Sequence, residues 1–207
     1  MGRYNFDKIV DRKHTKSLKY DFAVQRGKPA DVLPFWVADM DFEIPSELKQ
    51  VLLDRVNHGI FGYTESDDAY FNVLKEWFAS RFNWNIDKKW LVKTPGVVFA
   101  LAMAVRAFTK EGEGVLINQP VYYPFSMVID DNDRNLINVP LIQGADTYTI
   151  DFEGVERAIV EHNVTLFLLC NPHNPVGRVW TEDELKRLGD ICIKPVSYTH
   201  LTLPTTE

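Results

Sequence analysis

The sequence has too few cysteines for a disulfide framework, no apolar run long enough to cross a bilayer and no surplus of positive charge. Its two cysteines among 207 residues, Cys170 and Cys192, sit in apolar stretches without metal-ligand spacing. Both read as buried structural thiols, and no metal site is expected. A formal charge of −6 and a pI near 5.4 leave no basic face for nucleic acid or for an anionic membrane surface. The N-terminus, Met1 to Val10, mixes charges and aromatics and lacks a signal-peptide core. With no apolar span either, the expected location is cytoplasmic, with neither nucleic acid nor membrane as a partner. No internal repeat or low-complexity tract is visible. What is present is 45% hydrophobic residues, enough in a chain of this length to bury a sizeable core.

Residues 1–45 are irregular and aromatic, broken by Lys28-Pro29 and Leu33-Pro34, and read as an arm. The spacing of Leu48, Val51, Leu52 and Val56 predicts a helix from Pro45 that stops at Gly59, and a second amphipathic helix covers about Asp68 to Phe82. Trp90 to Lys93 reads as a short strand, Thr94-Pro95-Gly96 as a turn, and Val97 to Thr109 as an alanine-rich apolar helix. Strands follow at Val115 to Asn118 and near Leu136 to Pro140, then a helix from about Phe152 to His162, then the apolar strand Val164 to Cys170. Thr181 and Glu184 have the capping-box spacing that starts a helix through Leu185 and Leu188. Strands alternating with helices predict an α/β fold with a mostly parallel sheet.

Three strand-to-helix connections carry candidate chemistry. Thr94-Pro95-Gly96-Val97-Val98 opens a helix whose first backbone N–H groups and dipole favour an anion such as a phosphate. Gln119-Pro120-Val121-Tyr122-Tyr123-Pro124-Phe125 offers rings on which a planar heteroaromatic ligand can stack, although a Tyr-Tyr pair more often packs under a loop. Asn171-Pro172-His173-Asn174-Pro175-Val176-Gly177-Arg178 follows the apolar strand. Its two prolines restrict Asn171 and Asn174, whose commoner role in turns is to satisfy local backbone. In open parallel sheets ligands bind beyond the carboxyl ends of the strands, where all three connections fall. An anion cradle, a stacking ring and a fixed amide together suit a phosphorylated aromatic cofactor.

These segments, with Val32-Leu33-Pro34-Phe35-Trp36-Val37-Ala38-Asp39-Met40-Asp41-Phe42 and His58-Gly59-Ile60-Phe61-Gly62-Tyr63-Thr64, resemble the fold-type I class I/II aminotransferase superfamily. Within it the chain is similar to the MalY/PatB-type cystathionine or cysteine-S-conjugate β-lyases, over roughly Tyr4 to Ile193. The Asn-Pro-x-Asn-Pro-x-Gly loop marks the superfamily, and the Trp-Val-Ala-Asp-Met-Asp and Gly-Ile-Phe-Gly-Tyr-Thr stretches mark the lyase branch. The resemblance implies an incomplete three-layer α/β/α large domain of the pyridoxal-phosphate transferase type, carrying an N-terminal arm. It divides the chain into an arm with part of a small domain (1–45), a partial cofactor-binding large domain (46–193) and a tail expected to be non-native (194–207).

The resemblance also implies roles. The cofactor would be pyridoxal 5'-phosphate, with its phosphate at the N–H groups of Val97 and Val98, Tyr122 stacked on its ring and Asn174 bonded to its phenolic oxygen. Tyr63 would reach the phosphate held by a second subunit, making the full-length parent a homodimer, and Ala38 would lie near the substrate carboxylate. Asp39 and Asp41 are read as structural. The implied activity is C–S β-lysis of a small sulfur amino acid to thiol, pyruvate and ammonia. A Schiff-base lysine is implied beyond the Cys192 helix, and no lysine of this chain, Lys194 included, stands in the matching context. No catalytic residue is therefore assigned, and the chain is expected to be an N-terminal fragment, inactive alone. An aminotransferase of the same fold and a non-catalytic protein-binding regulator are the alternatives.

Overall fold

The most apolar segments of the sequence become the middle of a parallel sheet. In the computed structural model, which describes residues 4–193, β1 (Gly114–Ile117) lies between β2 (Asn135–Asn138) and β5 (Val164–Phe167), parallel to both. All four β1 residues are buried. Val115 and Ile117 point to one face and Leu116 to the other, as the two-residue strand period requires. Each large apolar side chain so buried contributes about 1.5–3 kcal/mol.

Helices cover both faces. Helix α3 (Val97–Phe108) and helix α4 (Pro124–Asp130) supply Leu101, Val105, Phe125, Val128 and Ile129 to the face holding Val115, Ile117, Leu166 and Leu168. Helix α5 (Phe152–Glu161) and helix α6 (Glu182–Ile193) supply Val155, Ile159, Leu188 and Ile191 to the face holding Leu116, Phe167 and Leu169. This is the parallel α/β sheet expected from the alternation of elements, in the three-layer α/β/α form that the resemblance implies. The capping box is present: the Thr181 N–H donates to Glu184 Oε2 at 2.8 Å, and the Glu184 N–H donates to Thr181 Oγ1 at 3.3 Å.

The chain divides into two compact units between Trp77 and Phe78. The first contains the arm, helix α1 (Ser46–His58) and most of helix α2 (Asp68–Phe82). Gly59 ends α1 in the left-handed conformation, with φ 76°. In this unit the arm folds back on residues 39–47, with Phe6 edge-on to Phe42 at 5.3 Å and Lys8 paired to Glu43. Among the described residues no helix is long and apolar enough to cross a membrane.

Three local readings change. Trp90 to Lys93 is not a strand: residues 88–90 form a 3-10 turn whose entry is capped by Asp87, which accepts the Lys89 N–H at 3.0 Å. The extended residues beyond that turn have no neighbouring strand among the described residues, and a strand needs a ladder. The ladder of the last strand stops at Phe167, while Leu168 to Cys170 continue it as buried chain. The polar segment after β2 holds a small hairpin, β3 (Ile142–Gln143) with β4 (Tyr148–Thr149), and α4 was not legible as a helix. The tail expected at 194–207 lies outside the described residues.

Gly154 is the most constrained glycine. The carboxylate of Asp151 caps α5 by accepting the Gly154 N–H at 2.9 Å, and a Cβ on Gly154 would lie 2.3 Å from Asp151 Oδ2 and 3.1 Å from Val139 Cγ1. The Gly154→Ala variant must surrender that cap, so it loses about 1–2 kcal/mol in urea unfolding despite alanine's better helix propensity.

Candidate functional site

The carboxyl ends of β1 and β5 share one edge of the sheet because the strands are parallel neighbours. Helix α3 enters β1 through the short turn at residues 109–113, so it runs back along the sheet and its N-terminus faces that same edge. Leu101 of α3, Tyr122 from the loop after β1 and Cys170 from the chain after β5 belong to one packed cluster. The second unit therefore brings the starts of three connections together.

At the first connection, Gly96 precedes α3 without a side-chain cap, and the first backbone bond runs from the Ala100 N–H to the Gly96 carbonyl at 3.1 Å. The N–H groups of Val97 and Val98 precede that bond, and both residues are exposed. A Cβ on Gly96 would meet nothing within 4 Å. The positive end of the helix dipole is thus open to an anion.

At the second, Tyr122 is half-buried against the core, with its ring 5.3 Å from that of the exposed Tyr123. The Gln119 N–H donates to Asn138 Oδ1 at 3.0 Å and the buried Asn118 amide donates to the Val139 carbonyl at 2.8 Å, so β1 leaves the sheet tied to β2.

At the third connection the two asparagines separate. Asn171 Oδ1 accepts the Trp180 N–H at 3.1 Å, the ordinary turn role. Asn174 is exposed, and among the described residues its side-chain amide makes no hydrogen bond; only its backbone N–H is engaged, with Cys170 Sγ at 3.4 Å. The loop is closed by the His173 N–H to the Arg178 carbonyl at 2.7 Å, and Arg178 grips Glu184 through both terminal nitrogens at 2.9 Å. Burial pushes the Cys170 thiol up, away from thiolate, consistent with a structural role.

Ala38 and Tyr63 belong to the first unit, where both are exposed. Asp39 and Asp41, read as structural, are indeed held within this unit. Arg12 bonds both, reaching Asp41 at 2.6 Å, and the buried Lys19 ammonium donates to the Asp39 carbonyl at 3.1 Å and lies 3.5 Å from the Asp41 carboxylate. Between this cluster and Trp36, Val37 has φ 61°. A β-branched residue pays about 1–2 kcal/mol in the left-handed region, so the ion cluster beside it holds Ala38's loop in a conformation the chain alone avoids. Neither Arg12 nor Lys19 was legible as a partner here, since a contact across 27 residues leaves no spacing to read.

An open helix start, a half-buried ring and an exposed amide thus lie on one edge of a three-layer α/β sandwich, and the fold is that of the pyridoxal-phosphate transferases. Residues 30–196 match the model of the class I and II aminotransferases, and the chain belongs to that family. Cystathionine beta-lyase PatB of Bacillus subtilis is 42% identical over 92% of the chain and 49% of its own length, and the protein MalY of Escherichia coli is 34% identical over 91% and 49%. Cystalysin from Treponema denticola, whose crystal structure contains pyridoxal 5'-phosphate, superposes with a TM-score of 0.85 at 40% identity, over 96% of this chain and 50% of that one. The chain spans about half the length of the curated relatives it matches.

Arg12 is the first cause that holds the carboxyls of Asp39 and Asp41 below their ordinary range. Because the folded values lie below the unfolded value near ~3.9, the stabilisation is present above that pH and is lost as the pH falls through the folded values. Carbon-13 titration of the two carboxyls should give midpoints below the ordinary aspartate range, and Arg12→Gln should move both upward.

Proposed function

We propose that the chain forms part of a pyridoxal-phosphate-dependent C–S β-lyase acting on a small sulfur amino acid such as cystathionine or a cysteine S-conjugate, with thiol, pyruvate and ammonia as products. The observation that carries this reading is the coincidence, at one sheet edge, of an uncapped helix start with an exposed and otherwise unbonded Asn174 amide. The 42% identity to a cystathionine beta-lyase supports the lyase branch over amino transfer.

The residues present fit the cofactor chemically. The N–H groups of Val97 and Val98 offer donors to a phosphate dianion, and the open space at Gly96 gives it room. The Tyr122 ring would cover a face of the pyridine, and the Asn174 side-chain N–H would donate to the ring's phenolic oxygen. When bound, pyridoxal phosphate supplies an electron-accepting ring that stabilises charge developing at the substrate's α-carbon. Ala38, on a loop braced by Arg12 and Lys19, would serve the substrate carboxylate. Tyr63 would serve the phosphate held by a second copy, which would make a homodimer part of the site. No lysine of the 207 residues is assigned the covalent link.

Pyridoxal phosphate titrated into the chain should quench intrinsic fluorescence saturably, and loss of the one charge-assisted bond in Asn174→Ala should weaken binding about tenfold. Wild-type-like affinity in that variant would sink the assignment of Asn174. The protein expressed from its gene and loaded with cofactor should release pyruvate from cystathionine without a keto acid. A strict requirement for a keto-acid acceptor would make it an aminotransferase instead.

A further inference from the structure

His173 lies inside the Asn-Pro-His-Asn-Pro loop and none of the roles above uses it. It is 2% exposed, the only charged or imidazole side chain among the fully buried groups of the described core. Its Nε2 lies 3.0 Å from the Pro120 carbonyl oxygen, 53 residues away on the loop that follows β1. A carbonyl only accepts, so Nε2 carries the proton. Nδ1 is buried and has no hydrogen-bond partner among the described residues. The ring is fixed edge-on against Trp180 at 5.3 Å and 81°, and Trp180 is itself anchored by its indole N–H to the Cys170 carbonyl at 3.0 Å. The backbone of His173 is held as well, donating to Arg178 and accepting from Gly177 at 2.8 Å.

The bond joins the two loops that carry the proposed ring contacts. Pro120 stands two residues before Tyr122, and His173 stands immediately before Asn174. We propose that His173, as the neutral Nε2–H tautomer, is a positioning residue that bolts the loop after β5 to the loop after β1 and so sets Asn174 against Tyr122. This rests on reading Tyr122 and Asn174 as cofactor contacts. The geometry has a specific reason to use imidazole here. A longer flexible donor could also reach Pro120, but only a planar ring both packs edge-on against Trp180 and presents its N–H in a fixed direction. Burial pushes the imidazole pKa down and disfavours the charged ring, against the opposing pull of the Pro120, Asn118 and Cys170 carbonyls.

Two variants of the full chain separate the bolt from mere packing. His173→Leu fills the space without a donor, and His173→Gln returns an N–H at about the reach of Nε2. Nitrogen-15 spectra of the wild type should show a protonated Nε2 and an unprotonated Nδ1 at neutral pH. Amide exchange at residues 121–125 should quicken on the order of tenfold in His173→Leu, the effect of losing one net hydrogen bond, and return towards wild type in His173→Gln. Pyridoxal phosphate affinity should follow the same order. An Nδ1–H tautomer, unchanged exchange in His173→Leu, or Gln no better than Leu overturns the proposal. If exchange and tautomer behave as stated while no variant or wild type binds the cofactor, the bolt stands and the cofactor reading fails.

Discussion

The burial of β1 on both faces is the constraint on which the second unit depends. A parallel sheet is one whose faces are both covered, and here both neighbours of β1 are parallel to it, so they must be joined by crossovers that return the chain to the same edge. That requirement places the ends of β1 and β5 side by side and sends α3 back with its N-terminus toward them. The part of the candidate site within the second unit is a consequence of this return: each of its residues follows directly on a buried strand or opens a helix packed on one.

Close approach enforces the same geometry at the other edge. A Cβ on Gly114 would lie 3.0 Å from the His162 carbonyl and 3.4 Å from Val164 Cα, so glycine lets the start of β1 lie close to the chain entering β5. The register shifts at this point, between Gly114 and Val115. Arg134 finishes the edge by donating to the Thr109 carbonyl at 2.7 Å, which satisfies one of the orphan acceptors at the end of α3.

Local chemistry was legible in the sequence wherever a feature acts over a few residues. The Thr181 and Glu184 box, the Gly59 stop and the apolar period of α3 all leave signals within one or two turns, and all are found as read. The hairpin of β3 and β4 has two-residue strands, too short for a period to show. Trp90 to Lys93 has strand-like composition, but a strand is defined by its neighbour and not by its residues. At the site, the backbone constraint of the two prolines bears on both asparagines alike, and it is the family resemblance that singles out Asn174. Only the Trp180 contact shows that Asn171 is spent on the turn and Asn174 is not.

The two units hold their functional loops by different physics. In the first, Arg12 and Lys19 balance Asp39 and Asp41 across a loop that contains a left-handed valine, an arrangement of exposed carboxylates and long side chains that acid and salt weaken. In the second, a neutral imidazole buried against an indole joins two loops through one bond, which ionic strength barely touches. Raising salt at neutral pH should therefore loosen Ala38's loop while leaving the spacing of Tyr122 and Asn174 intact. The ion cluster weakens with screening and the buried neutral bond does not, so the two loops differ in their sensitivity to salt.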